Sequence, residues 1–400
     1  MTVPSIPALV MEHAEEAAYA WEQRVHCLTS PVETRADLRV LDQWIVAHLA
    51  GLRAHDGAGW ELASRGLEEA SAGAMFVAAV LATEQRDPAA FAGVIAALGT
   101  RTGARRAVVS ALGWLPLATA WPVIGGLLTS ADPLQQRIGI AACAAQRHDP
   151  GRLLESLLAS PHLEVSARAL RAVGELSRHD LVPVASRFVI SDHLPSRHAA
   201  AWSTAFLAGQ GASIRCLQAL LTSGSVADER TLQVAARYTS VDDALAWLNR
   251  CAASSATRRL AIRIAGATGD VRVVPWLIKT TQDPTLAGVA GEAIVAITGV
   301  DLAEESLTSE PATSEEDGDE PDPDIDLPLP NHERLHAWWL ARSATMAPSV
   351  RYVRGEPVST AALQQALCTA PNRQRIGVAL ELAKQADAPG LVNIAERTVS

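Results

Sequence analysis

LEVSARALRAVGELSRHDLVPVAS, residues 163–186, reads as a helix, a short loop and the opening of a second helix. Apolar side chains at Val165, Ala169, Ala172, Val173 and Leu176 recur at helical spacing. Gly174 stands near the end of the first helix. Pro183, nine residues on, suits the first turn of the second, where a missing N–H would have had no partner anyway. The same nine-residue interval separates Gly113 from Pro122 and Gly266 from Pro275. Between the pairs the distance is about 30 residues or a multiple of it, the period of stacked helical hairpins.

Stepping by about 30 residues from Gly113 reaches Ala144, Gly174, Thr204, Arg237, Gly266 and Thr298. Each position closes an expected first (A) helix: Leu134–Ala145, Glu164–Leu176, Arg197–Leu207, Glu229–Tyr238, Arg258–Gly266 and Ala287–Ile297. Expected second (B) helices follow at Leu153–Leu158, Val184–Val189, Ile214–Leu221, Ala244–Asn249 and Trp276–Thr280. Asp132-Pro133, Ser160-Pro161 and Asp283-Pro284 punctuate the loops between units. No stretch alternates in the manner of a strand. The predicted fold is all-α, an α-solenoid over residues 57–303.

The flanks differ from the repeats. Helices near Ser5–Cys27 and Thr34–Ala54 precede shorter ones near Trp60–Glu69 and Ala72–Thr83, so residues 1–56 read as a helical cap on the first repeat. The net charge of −10 is concentrated in one place. Glu304–Asp326 holds eleven acids and no Lys or Arg; setting these aside leaves 33 acids against 34 bases. With three prolines and no aromatic, residues 304–326 are expected to be a disordered linker. Beyond it, residues 327–400 form a small helical unit with Trp338-Trp339, an extended turn at Arg351–Pro357 and two helices at Thr360–Leu367 and Asn372–Lys384.

Several function classes recede on composition. No apolar run is long enough for a membrane span. The first residues lack the basic start of a secretory signal, and the five scattered cysteines offer no CxxC or disulfide framework. A cytoplasmic protein is expected. Only Lys279 and Lys384 are lysines and the body is near neutral, which disfavours nucleic acid as a partner.

The stretch His13-Ala14-Glu15-Glu16-Ala17-Ala18 with Trp21, the run Leu38-x-x-Leu41-Asp42, then His48-Leu49-x-Gly51-Leu52-Arg53 and Gly59-Trp60 form one set of motifs. Trp338-Trp339, Arg351-Tyr352-x-x-Gly355-x-Pro357 and Arg373-Gln374-Arg375 before Ala379-Leu380-Glu381-Leu382 form another. Together they resemble a proteobacterial family of HEAT-repeat proteins over nearly the whole chain. Members of that family are often encoded among type VI secretion genes, near spike proteins and effectors. The resemblance implies a HEAT-like solenoid with a cytoplasmic accessory or effector-loading role. The family has no assigned functional residues to carry over.

Catalytic patterns are sparse. Arg147-His148-Asp149 and Arg178-His179-Asp180 look like His–Asp dyads but lie 31 residues apart, which makes them one repeat element met twice, with the Asp capping the B-helix. His13 and Glu16 are one turn apart, a two-ligand fragment that reads more simply as a surface or capping pair. No phosphate loop, nucleophile elbow, metal or cofactor site is expected. Arg187, Arg250 and Lys279 fall late in three B-helices. B-helices line the concave face of such arrays, so these cations read either as a solvated edge or as a basic row facing an acidic partner, the chain's own linker included. Trp202 and Trp247 are grouped with that groove, although packing between repeats explains them equally simply. Trp338, Trp339, Arg351 and Tyr352 form a second candidate surface. The expected function is non-catalytic: a scaffold or adaptor binding protein partners such as secretion-system spike or effector proteins. The alternative is a HEAT-like enzyme, DNA glycosylase-type or chromophore-lyase-like.

Overall fold

Helices account for nearly all regular structure in the computed structural model, which describes residues 7–69, 71–99, 102–309, 324–385 and 390–399. The chain divides into two compact units. The first holds residues 1–29, 35–203 and 395–400; the second holds 30–34 and 204–394. These limits follow contacts, whereas the expected boundaries at 56, 303 and 326 followed composition.

The first unit contains α1 (Pro7–Cys27), α2 (Arg35–Ala54), α3 (Asp56–Glu69), α4 (Ala72–Gln85), α5 (Pro88–Ala96) and α6 (Thr102–Trp114). It continues with α7 (Leu117–Leu128), α8 (Pro133–Gln146), α9 (Arg152–Leu158), α10 (Leu163–Glu175) and α11 (Val182–Ser186), then most of α12 (Leu194–Ala208). Alternate helices pack in series, α4 on α6, α6 on α8 and α8 on α10, while α7 and α9 lie against α8 and α10. Asp87 and Asp132 accept from the N–H of Ala89 and Leu134, and the prolines beside them occupy the first turns of α5 and α8. Pro183 likewise stands in the first turn of α11. Pro122 does not open a helix: α7 begins five residues earlier and carries Pro122 in its interior.

The glycines of the sequence pattern mark close helix approach. A Cβ on Gly113 would meet the Ala145 Cβ at 3.0 Å. One on Gly174 would lie 2.6 Å from the Trp202 ring and 2.7 Å from Ser203 Oγ. In the second unit, a Cβ on Gly266 would come within 3.1 Å of Ala293 Cα. Polar ties repeat at the same interval. Ser203 Oγ receives the Gly174 N–H and donates to the Leu170 carbonyl. Arg178 reaches Asp149, 29 residues earlier, and Arg272 reaches Asp242, 30 residues earlier.

The second unit takes in the end of α12 and α13 (Gly211–Thr222), α14 (Glu229–Arg237), α15 (Val241–Ala252), α16 (Arg258–Thr268), α17 (Val274–Thr280), α18 (Ala287–Thr298), α19 (His332–Arg342), α20 (Thr360–Thr369) and α21 (Asn372–Leu382). Again α14, α16 and α18 pack in series. The extended turn is a two-stranded hairpin, β1 (Tyr352–Val353) against β2 (Glu356–Pro357). Arg354 and Gly355 turn it with φ of 50° and 89°. Among the described residues no helix is long and apolar enough to cross a membrane.

The acidic stretch departs from its expected disorder at both described ends, while residues 310–323 lie outside the described residues. Leu307 is buried, Thr308 bridges to Pro330, and Asp324 pairs with Arg259 and Arg373. One buried side chain and one doubly paired carboxylate hold what composition alone would have released. Arg373 also grips Glu292 of α18 through two hydrogen bonds of 2.8 and 2.5 Å.

Helix α21 seats on α14, where Gly377 leaves room for Gln233 and Arg237. Buried Glu381 there lies 3.5 Å from Arg237 and 2.9 Å from Lys384. Burial alone would raise the Glu381 pKa; Arg237, Arg351 and Lys384 outweigh it and hold the carboxyl below its ordinary range. A group so depressed stabilises the fold above that range, and its contribution is lost as pH falls through it.

Two stability measurements check this account. Gly174→Ala should cost about 1–3 kcal/mol in thermal unfolding, whereas Gly126→Ala, which faces open space, should be neutral or stabilising by about 0.5–1 kcal/mol. Equal effects would remove the close-approach argument. Glu381→Gln should lower urea-unfolding stability at neutral pH by about 3 kcal/mol, because it removes the buried negative charge that three cations face, and the deficit should narrow towards about pH 3. A deficit independent of pH would show that the ion network is not its source.

Candidate functional site

The three cations of the expected row are all exposed, and among the described residues none forms an ion pair. Arg187 begins the short 3-10 turn after α11 in the first unit. Arg250 and Lys279 occupy the last turns of α15 and α17 in the second. Cations are favourable there because the unpaired carbonyls at a helix end carry partial negative charge. Within the second unit, exposed Arg215 on α13 adds a further cation, so Arg215, Arg250 and Lys279 come from α13, α15 and α17. Sequence reading missed Arg215; its place in a B-helix was the available signal.

The tryptophans assigned to the groove are core residues. Trp202 is fully buried, with the Arg171 guanidinium 3.5 Å from its ring centre. Trp247 is buried too, and its Nε1 donates to Thr222 Oγ1 at 3.1 Å. Both belong to inter-helix packing, where a large flat side chain covers the most apolar area per residue.

The second candidate surface is largely interior as well. Tyr352 is buried, its main-chain N–H donating to Gly269 and its hydroxyl accepting from the Ala347 N–H. Arg351 donates to the carbonyl of Ala267 in the last turn of α16 and to that of Thr239 just beyond α14. Burial brings its pKa down to about 10. Trp339 is buried. Trp338 remains half-exposed beside exposed Leu340, with Arg342 4.8 Å above its ring. Only this part of the expected surface can meet a partner, because the hairpin's own backbone ties consume Arg351 and Tyr352.

The His–Asp dyads dissolve. Asp149 and Asp180 both bond the Arg178 guanidinium, which Asp180 foremost holds in its charged form. His148 packs edge-on against Trp121 instead. Asp149 accepts the Gly151 N–H in the turn before α9, but neither it nor Asp180 caps the helix that follows, contrary to expectation. His13 meets His48 of α2 rather than Glu16, with ring nitrogens 3.1 Å apart, and Trp44 donates to the far side of His48 at 2.7 Å. Among the described residues no group of three or more metal-ligating side chains assembles. Burial pushes the Cys143 thiol up to about 12, which leaves it protonated and unreactive.

The first unit has an open cavity of about 380 Å³ that no sequence pattern announced. Phe91 and Ile95 of α5 face Pro122, Val123 and Gly126 of α7, with α4 supplying Thr83. Arg86 and Asp87 stand on its wall, the latter already occupied as the cap of α5. The lining is predominantly apolar and holds no nucleophile–base pair, so it is built to receive an apolar group.

Comparison with family models, with curated proteins and with solved structures finds no match.

The division between core and surface predicts that Trp202→Ala loses about 3–5 kcal/mol in urea unfolding. Arg250→Ala should stay within about 0.5 kcal/mol of wild type. Comparable losses would mean that Arg250 is part of the packed structure.

Proposed function

We propose that this chain is a cytoplasmic α-solenoid of HEAT-like hairpins that holds protein partners and performs no chemistry itself. The observation that carries the reading is the recurrence, at about 30-residue spacing, of the same small-residue contacts and polar ties between alternate helices. Such a stack has each repeat supported by its neighbours, which leaves the outer faces of the B-helices for recognition. Arg215, Arg250 and Lys279 supply unpaired positive charge there, and an acidic protein segment is the ligand they suit. The resemblance to the HEAT-repeat family adds a setting, an accessory or effector-loading factor of type VI secretion whose partners are spike or effector proteins.

The test is affinity purification from the native host with the tagged full chain, followed by titration of the recovered partner. Replacing Arg215, Arg250 and Lys279 by Glu should weaken binding several-fold to about a hundredfold, since exposed pairs contribute about 0.2–1 kcal/mol each. The difference should shrink as salt rises. Wild-type affinity in the triple variant at low salt would remove the basic face from the proposal, and recovery of a substrate turned over by the chain would overturn the scaffold reading.

A further inference from the structure

Within the first unit, the segment Ala395–Val399, a turn at Ala395 followed by bends at Glu396 and Thr398, lies against α1, α2 and α6, held by groups that read its main chain. Arg24 of α1 donates from Nη2 to two successive carbonyls, those of Ala395 and Glu396, at 3.1 Å each. Asp42 of α2 accepts the Thr398 N–H at 2.6 Å and the Thr398 hydroxyl at 2.7 Å. Arg24 and Asp42 pair with each other and, with the segment in place, are 2% and 0% exposed. An aromatic cluster holds them: Trp21 stacks on Phe76, Phe76 meets Trp114 edge-on, and Trp21 Nε1 donates to Ser110. Trp114 carries Arg397 of the segment 5.4 Å above its ring.

The two sides of this contact are unlike. The receiving side chains are buried with the segment in place. The segment buries no apolar side chain: Glu396 is exposed and Ala395, Arg397, Thr398 and Val399 are half-exposed. Its hold is therefore mainly directional, two main-chain carbonyls, one N–H, one hydroxyl and one guanidinium over a ring. Without an occupant, Nη2 of Arg24 and Oδ2 of Asp42 would lose these partners inside the fold, a costly state that favours rebinding of any chain offering the same groups. Trp114 Nε1 is buried and has no acceptor among the described residues.

We propose that the Arg24–Asp42–Trp114 groove is a peptide-recognition site for a segment bearing arginine followed by a hydroxyl residue. Residues 395–399 of this chain are its exchangeable resident ligand. The hydroxyl sits on a carboxylate, so a phosphate on Thr398 would meet like charge and leave the site. The site is in the first unit and independent of the basic side chains of the second.

The probe is a fluorescein-labelled peptide of residues 393–399, titrated by anisotropy into the full chain and into the full chain carrying Arg397→Glu and Thr398→Val. The variant's own segment is a poor ligand while Arg24, Asp42 and Trp114 are intact. It should bind the peptide at least about 10-fold more tightly than wild type, whose tethered segment competes at high effective concentration. A peptide with the same two changes should not bind, and a phosphothreonine peptide should bind at least about 10-fold more weakly than the unmodified one. In wild type, excess unlabelled peptide should speed hydrogen exchange at the Thr398 amide several-fold. A fixed strut predicts the reverse. If the variant binds the native and altered peptides alike, binds neither, or unfolds, or if excess peptide leaves the Thr398 amide unchanged in wild type, the proposal is overturned.

Discussion

Close approach between alternate helices is the constraint on which the rest of this structure depends. At Gly113, Gly174 and Gly266 the next helix in the series comes within the distance a side chain would need. Two helices that pack this closely bury little area per residue. The core is accordingly made of many small contributions from Ala, Leu and Val and a few large ones such as Trp21, Trp202 and Trp247. Dispersion at short range compensates for the scarcity of aromatic area, and any added volume at those glycines must displace a neighbouring helix.

Polar networks do a different job, joining segments that are remote in sequence. In the first unit Arg24 and Asp42 hold residues 395–398; in the second, Glu381 draws Arg237 and Lys384 together, and Arg373 links α18, Asp324 and its own helix. Buried charge is expensive unless each group is paired and hydrogen-bonded, so such sites tolerate one geometry and little else. They act as position markers for segments whose apolar content would not locate them.

This division of labour also explains why the candidate surface is so sparse. Many cations are consumed by structure: Arg178 and Arg272 by carboxylates about 30 residues earlier, Arg351 by helix-end carbonyls, Arg373 by two carboxylates. Arg187, Arg215, Arg250 and Lys279 stand outside these networks, as do exposed Arg39, Arg86, Arg106, Arg152 and Arg258. The cavity between α5 and α7 adds an apolar complement in the first unit.

The sequence by itself determined the all-α class and most of the helices, although not α5 or the start of α7. Periodicity of apolar residues and the caps at Asp87, Asp132 and Ser240 are local signals, and local hydrogen bonding obeys them. It also carried the meaning of the repeated glycines, although as spacing and not as contact. Tertiary structure alone decided that Pro122 lies inside α7, that Tyr352 and Trp339 turn inward, and that Trp202 and Trp247 are core. It decided as well that the ends of the acidic stretch are bound and that Arg24 and Asp42 receive a segment more than 350 residues away. The physical reason is the range of the forces involved. Helix formation depends on neighbours three and four residues apart, whereas burial and ion pairing depend on which distant surfaces meet, and no window of sequence contains that information.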